Sequence, residues 1–183
     1  MNTRRTLLFG APLAVAVAGG GAFWATLARM KSGTFDPRGV PSTLTDKRVP
    51  GFRLAGLPDA GFTSVDLMAT GWPTLVNFWA SWCPPCLQEH PLLMQIKADV
   101  PIWGVAYKDN HANALAFLKR NGSPYARSAA DPPGRVAIDW GLTGVPESFL
   151  IDGEGYVRWR MTGPLTPDII TRQLKPLLAK YAP

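Results

Sequence analysis

The chain has 183 residues, 46% of them hydrophobic, which suits one domain with an ordinary buried core. Its formal charge of +6 is uneven: residues 1–35 hold four basic and no acidic side chains, leaving 15 of the 19 basic residues against all 13 acidic ones, about +2 for the remainder. A domain so near neutrality offers no electrostatic footprint for nucleic acid, and two cysteines exclude a disulfide framework.

Leu7 to Ala28 contains no charged side chain; Arg4 and Arg5 precede it and Arg29 and Lys31 come after it. A helix of that length, at about 1.5 Å per residue, reaches roughly 33 Å and can cross a hydrocarbon core of about 30 Å. The expectation is a signal-anchor over 1–31 with its transmembrane helix at about 7–28. A cleaved signal peptide is the alternative, because Leu7 to Ala18 would serve as its apolar segment and Ala16-Val17-Ala18 resembles a small-residue cleavage site. Both readings export the remainder of the chain, and the leading arginines favour a cytoplasmic N-terminus. The expected location is the bacterial inner membrane, single-pass, with the functional domain in the periplasm. Residues 32–47, including Asp36-Pro37-Arg38-Gly39-Val40-Pro41, read as a tether, and 48–183 as the folded domain.

Val49 to Leu57 and Ser64 to Met68 read as short strands forming an edge hairpin, the second because Val65 and Leu67 alternate with polar neighbours. Thr74 to Ala80 is a continuous apolar strand, as a position buried on both faces requires. A helix from Pro84 is expected to turn Leu87, Leu92, Leu93 and Ile96 inward, kinked by Pro91. Pro101 to Tyr107 is a second buried strand and Asn110 to Asn121 an amphipathic helix with a Gly122 stop. Next come a short strand at Tyr125 to Ala129, a short helix at Arg135 to Trp140 and a hairpin of Glu147 to Ile151 with Tyr156 to Met161. Thr166 to Lys180 is a last helix, which Pro176 must end or bend. This order predicts an α/β fold with a mixed central sheet flanked by helices.

The two cysteines stand in Trp82-Cys83-Pro84-Pro85-Cys86, between the apolar strand and the helix after it. Dithiol-disulfide chemistry needs a thiolate, and a helix N-terminus supplies unpaired N–H groups and about half a positive charge to stabilise one. A structural disulfide here would close too small a ring to constrain the unfolded chain. A zinc site lacks ligands, since only His90 and His111 remain. Covalent haem attachment needs histidine after the second cysteine, where Leu87 stands. The pair therefore reads as redox-active, with Cys83 the exposed nucleophile, Cys86 the resolving thiol, and no metal or other cofactor. Pro84 and Pro85 stiffen the turn at the first helical positions, where no internal donor is lost. Trp82 either shields the sulfurs or packs into the core.

Val76-Asn77-Phe78-Trp79-Ala80-Ser81-Trp82-Cys83-Pro84-Pro85-Cys86 resembles the active-site segment of thioredoxin-fold proteins, with Pro91 matching the proline of that helix. The inserted strand-helix unit between Pro101 and Asn121 resembles the membrane-tethered, TlpA-like branch. Cys86-Leu87-Gln88-Glu89-His90, Tyr107-Lys108-Asp109, Asn121-Gly122-Ser123-Pro124-Tyr125 and the run from Gly141 to Asp152 are similar to CcmG, also called DsbE, the reductants of cytochrome c maturation. The resemblance runs from about Ser42 to Tyr181. It implies a thioredoxin-like fold and a protein-disulfide reductase whose substrate is apocytochrome c or a CcmH-like relay protein, with electrons supplied by a DsbD- or CcdA-like membrane thiol transporter. It also implies a cis peptide at Val145-Pro146 facing the disulfide, where a substrate segment can add as a short strand.

Thioredoxin has a buried aspartate where this chain has Asn77, so any assisting carboxylate must be Glu89 or Glu147, as the resemblance also implies; without it, most such glutamates are solvated. Asp109, after Tyr107-Lys108, reads as part of a solvated loop in preference to a lining residue of the substrate groove. Two other functions compete. A copper metallochaperone of the same fold would need a CxxxC and a distant histidine, which are not in place, and a non-catalytic apocytochrome-binding module would keep working without its cysteines.

Overall fold

The computed structural model describes residues 15–28, 42–58 and 60–182, in two compact units, Met1–Pro41 and Ser42–Pro183. In the first unit a helix, α1, covers residues 15–28 and is exposed along its described length. The expected span at 7–28 lies partly outside the described residues, and among the described residues no helix is long and apolar enough to cross a membrane. The second unit begins at Ser42, ahead of the expected boundary at 48. Asp46 donates its N–H to Val157 O, Val157 returns one to Lys47 O, and Leu44 packs on the core.

The second unit is built on a seven-stranded sheet. Its strands are β1 (Arg53–Gly56), β2 (Phe62–Thr63), β3 (Thr74–Trp79), β4 (Ile102–Tyr107), β5 (Arg127–Asp131), β6 (Glu147–Ile151) and β7 (Val157–Thr162), in the order β2-β1-β5-β4-β3-β6-β7. The pairs β3/β4 and β4/β5 are parallel; β1/β2, β1/β5, β3/β6 and β6/β7 are antiparallel. This is the thioredoxin-like fold with a mixed sheet, its N-terminal hairpin on one edge.

The hairpin differs from expectation in its second strand. Ser64–Met68 is a helix, α2, and only Phe62–Thr63 pairs with β1. A capping box decides it: Asp66 N–H donates to Thr63 Oγ1 while Thr63 N–H donates to Asp66 Oδ2, satisfying two donors that a helix start leaves open. Alternation over five residues is too short a pattern to outweigh that local chemistry.

Helix α3 spans Pro84–Ile96 and continues through Pro91. Leu93 and Ile96 are buried in it as expected, but Leu87 points to solvent. Helix α4, His111–Asn121, is capped by Asn110, whose side chain accepts from Ala112 N and Asn113 N, and ends at Gly122 with φ +79°, a conformation open to glycine. Helix α5 is Arg135–Asp139. The C-terminal helix runs as α6 (Pro167–Ile169), a π-helical turn (Ile170–Leu174) and α7 (Lys175–Tyr181). It therefore passes Pro176 instead of ending there, and the wider π turn just before the proline marks where the regular hydrogen-bond register changes.

The pleat of β3 divides the core. Val76 and Phe78 face a cluster with Trp103, Trp140 and Phe149, whereas Leu75 and Trp79 face the side covered by α3, α4 and the C-terminal helix. Asn77 shares the second side, which is where the polar chemistry gathers.

Candidate active site

β3 is buried at every position, and the loop after it carries Ser81 and Trp82 to Cys83 at the N-cap of α3. Pro84 and Pro85 occupy the first two helical positions, Pro84 exposed and Pro85 half-buried. Cys83 and Cys86 form a disulfide. The backbone N–H of Cys86 donates to Cys83 Sγ at 3.2 Å, so the helix start already aims a donor at the sulfur that would carry the negative charge. The first turn of α3 contains no acidic residue to oppose it. In this oxidised state Cys83 is only 3% exposed, as is Cys86. The expectation of an exposed Cys83 is corrected: both cysteines pack with Trp79, Ala80, Ala106, Phe117 and Val145.

The loop before β6 closes the other side. Val145-Pro146 is cis, and Val145 O lies 3.4 Å from Cys83 Sγ, placed to accept the S–H of a reduced thiol. Pro146 is buried, and its carbonyl accepts from Gly163 N at 2.9 Å.

Trp82 is 56% exposed, and its indole N–H donates to Lys108 O at 3.1 Å. The core-packing alternative for this residue is thereby excluded. With Leu87, also exposed, it gives the rim of the site an apolar surface. Asp109, expected in a solvated loop, is buried: Oδ2 accepts from Ser81 N at 2.5 Å and Oδ1 from Ser81 Oγ at 2.9 Å. Lys108 and Asp109, in the loop after β4, thus brace the two residues before Cys83.

The two candidate carboxylates have different surroundings. Glu147 is wholly buried but ion-paired: Arg160 Nε donates to its Oε1, and Thr143 N and Oγ1 donate to Oε2 at 3.0 and 3.3 Å. Glu89, one turn after Cys86, is 2% exposed, and among the described residues no cation pairs with it. Its partners are neutral: Asn77 Nδ2 donates to Oε1 at 3.0 Å and Leu165 N to Oε2 at 2.8 Å. Burial pushes the Glu89 carboxyl up to about 7, against the smaller lowering effect of those two donors. Asn77 Nδ2 also donates to Ser148 Oγ at 3.0 Å, and its Oδ1 accepts from Tyr125 OH at 2.9 Å. Burial holds the Tyr125 phenol well above its usual value, and the Glu89 charge adds to this.

The sequence set Cys83 and Cys86 together at a helix start, and the resemblance put Glu89, Glu147, Val145 and Pro146 beside them. It missed Tyr125, Ser148 and Leu165, whose side-chain or backbone groups reach Asn77 or Glu89 only through the fold. Asn77 itself was the available signal, being a polar residue at the centre of a fully buried strand. Among the described residues no group of three or more His, Cys, Asp and Glu side chains could hold a metal ion.

The disulfide, its helix start and the isolated buried carboxyl behind it can exchange a thiol pair for a disulfide and manage the accompanying proton. The Redoxin model matches residues 44–174. The chain is 49% identical over 149 residues to the thiol:disulfide interchange protein HelX of Rhodobacter capsulatus, covering 80% of this chain and 84% of that one. It is 41% identical over 181 residues to the thiol:disulfide interchange protein DsbE of Escherichia coli K12, covering 98% and 96%. A crystal structure ascribed to a DsbE protein of Chlorobium tepidum superposes with a TM-score of 0.64 at 28% identity, covering 74% of this chain and 96% of that one.

Proposed function

The chain belongs to the Redoxin family and, within it, to the thiol:disulfide interchange proteins of the DsbE type, and from that premise we propose that it is a membrane-anchored periplasmic reductant of apocytochrome c, or of a CcmH-like relay protein, during cytochrome c maturation. As a thiol-disulfide oxidoreductase it works through Cys83 and Cys86. The Cys83 thiolate attacks one sulfur of a substrate disulfide, forms a mixed disulfide and expels the other sulfur as a thiolate. Cys86, giving its proton to Glu89, then attacks Cys83 Sγ and releases the substrate's second sulfur. Two electrons pass to the substrate, and the Cys83–Cys86 disulfide remains.

The observation that carries the reducing direction is Glu89, buried one turn behind Cys86 with no cation against it among the described residues. Negative charge there disfavours a thiolate nearby, which destabilises the dithiol relative to the disulfide and makes the pair more reducing. In an oxidising compartment such a protein must be recharged, so a DsbD- or CcdA-like transporter in the inner membrane is the proposed donor. The resemblance to CcmG supports the cytochrome substrate, and the uncharged Leu7 to Ala28 segment supports the anchor.

The test is a trap. In Cys86→Ser the mixed disulfide formed by Cys83 cannot resolve, and partners recovered from the periplasm should contain CxxCH segments or belong to the cytochrome maturation machinery. Recovery of unrelated proteins alone would remove the cytochrome assignment and leave the redox chemistry intact.

A further inference from the structure

A carboxylate can only accept hydrogen bonds, so when Glu89 is ionised the Asn77 group facing it must be the amide Nδ2. That leaves Oδ1 on the opposite side, where the only side chain placed against it among the described residues is Tyr125, whose hydroxyl donates at 2.9 Å. Tyr125 stands just before β5, 48 residues from Asn77, its ring stacked on Trp79 at 5.6 Å between centroids. We propose that Tyr125 is a positioning residue: its hydroxyl locks the Asn77 amide in the one orientation that donates to Glu89. The consequence for thiol exchange rests on the role assigned to Glu89 above; the lock itself does not.

Without the hydroxyl the amide is free to turn. Ser148 Oγ can donate as readily as accept, so it bonds to either end of Asn77, whereas the Tyr125 hydroxyl, though it too could accept from a reversed amide, would then lose Oδ1, the only acceptor its own proton has among the described residues. A reversed amide would present Oδ1 to Glu89, which suits the protonated acid and repels the carboxylate. Tyr125 therefore works against the burial that pushes Glu89 up to about 7. Few other groups can produce the same effect. Leu165 contributes only a backbone N–H, β3 and β6 contribute neutral Asn77 and Ser148, and Tyr125 is itself held protonated by burial. On α3 the neighbours are Cys86, bonded in the disulfide, and His90, whose Nε2 is engaged with Gly122 O at 3.0 Å and whose imidazole burial holds toward the neutral form.

Tyr125→Phe keeps the ring and its stacking and removes one oxygen. In the oxidised full chain, the Glu89 titration followed by side-chain carboxyl NMR should move upward by about one pH unit, the scale set by losing a donor to a charged acceptor. In Asn77→Leu the lock has nothing to act on, so adding Tyr125→Phe to it should change the midpoint no further. A Glu89 midpoint unchanged by Tyr125→Phe overturns the proposal. Should the variant fold poorly, the unsubstituted protein gives the second reading: the Asn77 Nδ2 protons should exchange slowly and shift through the Glu89 titration, and exchange as fast as a surface asparagine refutes the lock. A midpoint that moves while the pH profile of disulfide reduction does not would uphold the lock and discard Glu89 as the proton partner of Cys86.

Discussion

Glu89→Gln removes a charge that the fold tolerates poorly, and its effect on stability can be worked out from the burial of that one group. A carboxyl that binds its proton at about 7 instead of the ordinary 4.5 leaves the native state holding more protons than the unfolded chain between those two values. Stability then falls as pH rises through that window, is unaffected by Glu89 below it, and carries the full cost above it. The interval is about 2.5 pH, and at about 1.36 kcal/mol per pH unit the cost is about 3 kcal/mol above neutrality. Glutamine never ionises, so the variant escapes this dependence, although its amide meets two donors, Asn77 Nδ2 and Leu165 N, and can accept from only one of them. Urea unfolding of the oxidised protein and of the variant from pH 4 to pH 9 measures the difference, in which all other titrations largely cancel. The variant should gain about 3 kcal/mol on the parent between pH 4 and pH 8.5, with most of the change between pH 5 and pH 7. Two parallel stability curves would refute the buried, unpaired state of Glu89 and with it the proton role given to this residue.

Glu147 differs in having a cation, Arg160. Arg160→Leu leaves a wholly buried carboxylate without its cation, so the protein should lose about 3 kcal/mol or more at neutral pH, read by urea unfolding. The reduction potential should respond to Glu89→Gln by moving toward oxidising values, by about 30 mV for each pH unit by which the thiolate is favoured, whereas Glu147→Gln should move it less, because Arg160 balances that charge; glutathione equilibration measures both. Asp109→Ala strips Ser81 N and Oγ of their acceptor and should cost about 1–3 kcal/mol and slow reduction of a model disulfide; wild-type rates with Asp109→Ala would show that the brace on Ser81 does not position Cys83. Removal of residues 1–31 should leave a soluble protein that still reduces a model disulfide, while a mature N-terminus near Gly19 in the native protein would overturn the anchor in favour of a cleaved signal.

The redox pair was legible because its chemistry is local. Two cysteines separated by Pro84 and Pro85 at a strand-to-helix junction mark a redox pair once a structural disulfide, a zinc site and haem attachment are set aside, and the continuous apolar runs at β3 and β4 define a buried sheet. Where the sequence misled, a short pattern met a stronger local bond, as at Ser64–Met68, or a periodicity was read past the surface, as at Leu87. The site beyond the cysteines is of another kind. Glu89 and Glu147 are alike as read before the structure, two acids that the resemblance sets near the thiols. Only the tertiary structure sets Arg160 of β7 against Glu147 and, among the described residues, only the neutral donors Asn77 Nδ2 and Leu165 N against Glu89. Asp109 becomes a buried brace only because the loop after β4 reaches the loop after β3. Charge balance in a protein interior is set by which elements meet, and groups that meet across 48 or 76 residues, as Tyr125 with Asn77 and Leu165 with Glu89, leave no spacing in the sequence to read.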